Sequence, residues 1–306
     1  MKKITSYHLV GHVAMFIANL IWGVMSPVSK YVMSFDTVSS FAVTGFRIFG
    51  GCLLFWLASI FIKTENVDNR DKIKLFFASL LAIIFNQGLF VTGVSLTSPI
   101  NASVITTFLP IVTMVLAFFI LQEPSTFKKV AGIMLGLGGA LMLVFTSRNV
   151  ESGGNVVGDL CCFGAQISFA LYVVVFKDLV GKYSPVTIMK WMFLFATIVF
   201  GVVGIMHIKS ICWQQLTISA ELGLGYIVFL GTFLAYFFIP IGQHRLRPTV
   251  VTMYNYVQPV MASVVAVWVG MESFSFFKIV SAMMIFAGVF VVTQSKSKKD
   301  IQENNK

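Results

Sequence analysis

The chain has 306 residues, of which 57% are hydrophobic and 11% charged. Soluble domains carry about 25% charged residues, so this chain has too little charge to cover a water-facing surface, and lipid must be the solvent for most of it. The net charge of +10 would suggest nucleic acid in a soluble protein, but here the Lys/Arg bias of cytoplasmic loops explains it and no nucleic-acid partner is expected.

Met1 to His12 is a short segment with Lys2 and Lys3. The apolar run behind it is too long for a signal-peptide core and has no small-residue cleavage site, so it is expected to stay as a first span. Ten runs approach the ~20 residues that a helix needs to cross a bilayer. They are 13–32, 38–62, 73–94, 100–121, 129–146, 156–176, 185–206, 220–243, 249–269 and 276–294. Barrel strands would be about 10 residues long and alternating. These runs are longer and apolar all round, which predicts helices. Thr64 to Lys74 is a charged loop, Ser147 to Asn155 joins the fifth and sixth runs, and the basic stretch 296–306 reads as a disordered cytoplasmic tail.

The stretch from Pro99 to Val144 occurs twice. Shifted forward by 149 positions, Pro99 falls on Pro248, Pro110 on Pro259, Glu123 on Glu272, Lys129 on Lys278 and Gly139 on Gly288, with no gap. A fainter echo at a shift of 147 sets Asn19, Trp22 and Lys30 on Gln166, Phe169 and Lys177. The chain therefore reads as two related halves, 10–146 and 156–295. With the N-terminus inside, sixteen Lys and Arg lie in cytoplasmic segments and four outside, which places both termini in the cytoplasm. Five spans per half is an odd number, so the halves are expected to be inverted relative to each other. That symmetry suits a transporter, because each half can take the other's conformation around one central site.

These residues resemble the drug/metabolite transporter superfamily, in its ten-helix form with two EamA domains. The matching features are Trp22-Gly23 with Lys30 after it, Phe46-Arg47 in the second span, and two long passages, LQEPSTFKKVAGIMLGLGGALMLV and GMESFSFFKIVSAMMIFAGVFVV. The resemblance covers residues 10 to 295. It implies an all-α integral membrane protein with ten transmembrane helices in two inverted five-helix repeats. Spans 1, 3, 4, 6, 8 and 9 would surround a cavity, and spans 5 and 10 would pack outside it.

Polar groups in hydrocarbon need a partner or a water-lined cavity. Asn19, Trp22 and Ser26 share one face of the first span. Asn86 and Gln87 are adjacent amides in the third, and adjacent residues point about 100° apart, so one of them at most faces a cavity. Asn101 lies near the outer end of the fourth span. In the ninth, Tyr254, Asn255 and Gln258 stand just before Pro259, which bends the helix and frees a carbonyl. Tyr236 joins from the eighth. The expected substrate-binding set is Asn19, Trp22, Asn86, Tyr236, Tyr254, Asn255 and Gln258. Arg47 either anchors a carbonyl and the outer headgroups or supplies charge for an anionic substrate, with the anchoring role favoured. Glu123 and Glu272 are expected to cap the helices that follow them.

Nothing points to catalysis. The four His and four Cys lack metal-ligand spacing, and no Walker motif or nucleophile elbow is present. No catalytic residue, metal or cofactor is expected. The reading is a secondary transporter of small organic metabolites, neutral or zwitterionic, in the bacterial inner membrane. An exporter or facilitator working by alternating access is expected, as a monomer or weak homodimer. The alternatives are a proton-coupled multidrug exporter and an intramembrane enzyme or scaffold.

Overall fold

The computed structural model describes residues 2–96, 105–146, 156–268 and 275–295. All regular elements among them are helical. In the first half, α1 is Lys2–Val32 and α2 is Ser40–Ala58, the latter capped by the Ser39 side chain, which accepts from the Ala42 N–H. α3 (Asn69–Ser79) continues through a π turn, Leu80–Phe85, into α4 (Asn86–Leu96). α5 (Leu109–Leu121) and α6 (Phe127–Thr146) follow. The second half holds α7 (Val156–Val175), the short α8 (Lys177–Lys182) and α9 (Pro185–Lys209). α10 (Ile218–Val228) then runs through a second π turn, Phe229–Leu234, into α11 (Ala235–Arg245). α12 (Pro248–Met253) is joined to α13 (Val257–Trp268) by a 3-10 turn at Tyr254–Tyr256, and α14 is Phe276–Thr293.

Eight of these helical stretches are long and apolar enough to cross a membrane. The other two of the ten expected runs fall on shorter helices. The fourth is represented by α5, 13 residues long; a turn at 107–108 precedes it, and residues 100–104 of that run lie outside the described residues. The ninth is split by the 3-10 turn. Pro259 has no N–H for the Asn255 carbonyl, so the backbone tightens just ahead of it.

The 149-residue register reappears in the backbone. Shifted by it, α3 becomes α10, the first π turn becomes the second and α4 becomes α11, end for end. α6 and α14 likewise begin at Phe127 and Phe276. The packing repeats as well. α1 lies on α11 as α7 lies on α4, and α1 lies on α13 as α7 lies on α5. α2 packs on α9 and α6 on α14, each pair consisting of equivalent helices. Such a pattern is unchanged when the halves are exchanged.

Both ends of the described chain meet one turn. The Tyr7 hydroxyl donates to the His244 carbonyl at 3.4 Å and His8 Nδ1 lies 2.9 Å from the Arg245 carbonyl. Arg247 donates to the Ser295 carbonyl at 2.8 Å. At the same end Lys182 pairs with Asp71 and Asp68, whose hydrogen bonds hold its ammonium above the usual lysine range. At the opposite end Tyr31 and Ser219 join α1 to α10 through their hydroxyls at 2.7 Å.

Candidate functional site

Asn19 lies midway along α1 and is fully buried. Its amide nitrogen donates to the Met15 carbonyl at 2.8 Å, and its oxygen accepts from Gln258 Nε2 at 2.8 Å. The approach of α1 to α13 depends on Gly23, where a Cβ would stand 2.9 Å from the Gln258 carbonyl oxygen. On the same face of α1, the Trp22 indole N–H donates to the Gly231 carbonyl at 2.9 Å. Gly231 belongs to the second π turn, where wider i→i+5 bonding leaves carbonyls short of their usual partners. Ser168 serves the first π turn in the same way, donating to the Leu81 carbonyl at 2.8 Å.

Gln87 and Tyr236 are 149 residues apart, so each stands at the other's equivalent position, and they bond directly, Nε2 to hydroxyl, at 2.8 Å. A contact between equivalents lies at the centre of the exchange that relates the halves. Both residues are buried, and Gln87 Oε1 has no hydrogen-bond partner among the described residues. The Tyr236 ring meets Trp22 edge-on at 5.5 Å and Phe193 at 5.3 Å, and Trp22 meets Phe169 at 6.4 Å. From α2, Arg47 Nε donates to the Thr232 hydroxyl at 3.1 Å, four residues before Tyr236.

Asn19, Trp22, Tyr236 and Gln258 of the expected set therefore sit together. Tyr254 lies one turn or so nearer the chain ends, its hydroxyl 2.9 Å from His12 Nδ1. Asn86 instead donates to the Ala165 carbonyl at 2.9 Å and ties α4 to α7. Asn255, on the 3-10 turn, makes none of these bonds. The amide at the centre is Gln87, which the choice of Asn86 passed over. The repeat register contained the missing signal, because it sets Gln87 on Tyr236. Asn101 and the Ser26 side chain lie outside the described residues.

A second polar group closes the end that carries the chain termini. Glu123 follows Gln122, whose left-handed backbone (φ 53°) ends α5. Its buried carboxylate accepts from Lys129 Nζ at 2.9 Å and from the Thr249 hydroxyl at 3.5 Å, with Lys177 Nζ at 3.9 Å. The expected capping role is corrected here. The α6 N-terminus takes its side-chain bond from Thr126, which accepts from the Lys129 N–H at 3.3 Å. Thr126 is three positions closer in, immediately before the helix and at a length that suits a cap, whereas the longer Glu reaches the ammonium. Glu272, the equivalent of Glu123, lies outside the described residues.

Among the described residues there is no group of three or more metal-binding side chains. The central cluster holds amides, a phenol, an indole and one cation, and among the described residues it offers no nucleophile–base pair.

Known proteins agree with this architecture. Residues 9–145 and 156–294 each match the EamA-like transporter family. The uncharacterized transporter YyaM of Bacillus subtilis is 22% identical over 293 residues, covering 94% of each chain. An uncharacterized transporter of Archaeoglobus fulgidus is 26% identical over 71% of this chain and 73% of its own. A WAT1-related protein of Arabidopsis thaliana is 23% identical over 74% of this chain and 69% of its own. A solved crystal structure shares the fold, with a TM-score of 0.74 at 17% identity over 94% of this chain and 96% of that one. The two halves that packing and register identify are the family's two repeats, and the chain belongs to the EamA-like transporter family, a multi-pass membrane transporter of the drug/metabolite superfamily and not an enzyme.

Proposed function

We propose that this transporter carries small zwitterionic or neutral organic solutes across the cell inner membrane by alternating access, with export as its direction and both termini in the cytoplasm. Ten spans in two inverted halves, 10–146 and 156–295, rock about the central cluster. The observation that carries this reading is the Gln87–Tyr236 bond between equivalent residues, flanked by Asn19–Gln258 and Trp22. These groups bond to one another here, and a solute would replace those bonds in turn. Glu123 and its partners then close the cytoplasmic end.

In this reading Gln258 also bonds the solute, and losing a hydrogen bond of about 1 kcal/mol lowers solute affinity roughly fivefold. Gln258→Ala and Tyr254→Ala are expected to lower flux into proteoliposomes with membrane abundance unchanged. The same assay with a pH gradient and no solute gradient should show no uphill accumulation, since none of the described carboxylates sits in mid-span. Accumulation that disappears in Asp159→Asn would replace this mechanism with a proton-coupled one. If thiol reagents never reach Cys placed at position 258, the cavity is elsewhere.

A further inference from the structure

We propose that Arg47 is the specificity-determining residue of the central site and that it selects a solute bearing a carboxylate. This rests on the central cluster being the place where the solute sits. Arg47 is partly buried and forms no ion pair among the described residues. Its protein hydrogen bond goes through Nε to a neutral hydroxyl, that of Thr232. A cation within a membrane span is costly unless it finds a counter-charge. The outward fork of a guanidinium matches the two oxygens of a carboxylate.

The repeat supplies an internal control. Thr232 lies in the second π turn, packed by α2, and the first π turn is packed in the equivalent way by α9. From Trp191 to Ile208, α9 holds no Lys or Arg. One π turn thus stands without a cation against it, so the scaffold does not require the other to have one. Arg47 is an addition to the shared frame, and its partner Thr232 follows Gly231, whose carbonyl holds Trp22, and stands four residues before Tyr236. Beside Tyr236, the buried Gln87 Oε1 is an acceptor without a partner among the described residues. A cation bonded to Thr232 and an amide bonded to Tyr236, four residues further on, suit the two ends of a zwitterion, carboxylate to Arg47 and N–H to the Gln87 oxygen.

The test is thermal unfolding of the purified protein in detergent, titrated with amino acids and with their matching carboxamides, which keep the side chain and lose the negative charge. At least one amino acid should raise the midpoint, and its carboxamide should do so only at concentrations about tenfold higher or more. Arg47→Gln should abolish that preference and Arg47→Lys should keep part of it. Thr232→Val removes Arg47's partner in the protein but leaves the charge, so the preference should survive. A purely structural Arg47 predicts instead that Thr232→Val and Arg47→Gln behave alike, and that result overturns the proposal. So does stabilisation by carboxamides as good as that by acids, or stabilisation of the wild type by neither. Gln258→Ala separates the two levels of the reading. If it weakens every ligand while Arg47→Gln changes nothing, the site stands and the role of Arg47 falls. If neither variant alters binding, both fall.

Discussion

Lys129→Met is expected to destabilise the folded chain by about 3–5 kcal/mol, because it strands a buried carboxylate. Lys129 is 1% exposed and Glu123 7%. With the ammonium gone, Glu123 would keep only the long bond from Thr249 and a distant Lys177. The double variant Glu123→Gln/Lys129→Met removes both charges together and should recover most of the loss, since a buried ion pair contributes little beyond an uncharged replacement. The unfolding midpoint in detergent and the abundance in membranes read this directly. A double variant no more stable than Lys129→Met would show that the cost lies in packing and not in the orphaned charge. Glu123 and Lys129 come from the first half, while Lys177 and Thr249 come from the second. The recovered double variant should therefore fold with a weaker fastening between the halves at that end.

Much of this was legible from the residues. The ungapped 149-residue shift survives in the backbone, and hydrophobic length alone located the eight long spans. Polar groups that stand out against apolar helix, Asn19, Trp22, Tyr236 and Gln258, could be singled out in the sequence, and the structure makes them neighbours. Which of Asn86 and Gln87 would meet Tyr236 was not legible, for a physical reason. The π turn Leu80–Phe85 ends immediately before them. A π turn inserts an extra residue into the ladder and rotates everything after it by about one position, so a face projected from ordinary 3.6-residue periodicity is displaced. Nothing in the apolar sequence LLAIIF marks that insertion. The burial of Glu123 was hidden for another reason: a Glu six residues before a Lys at a helix end reads as a cap, and the packing of α12 against α5 is what brings Thr249 over it.

The other large effect is expected on the seam between α6 and α14. Between helices surrounded by lipid there is no hydrophobic drive to associate, so close packing of small residues carries the contact. At Gly288 a Cβ would stand 2.6 Å from the Gly132 carbonyl oxygen and 2.7 Å from the Gly136 nitrogen. At its equivalent, Gly139, a Cβ would stand 2.7 Å from the Ser281 carbonyl oxygen and 2.9 Å from the Met284 Cβ. Ser281 is the equivalent of Gly132, so the two tight spots are one contact seen from each half. Most of the obstructing atoms are backbone, which cannot turn aside as a side chain does. Gly288→Val and Gly139→Val should each force the helices apart, at a cost of about 3 kcal/mol or more, well beyond the few tenths that Val gains over Gly in helix propensity. Gly138→Val is the control, because a Cβ there would meet only the flexible end of Met284 at 3.4 Å. The midpoint of unfolding should fall by similar amounts for positions 139 and 288 and change little for 138. A tolerated Gly288→Val beside a disruptive Gly139→Val would mean that the seam does not have the exchange symmetry its residues describe, and would remove the packing argument for two equivalent halves.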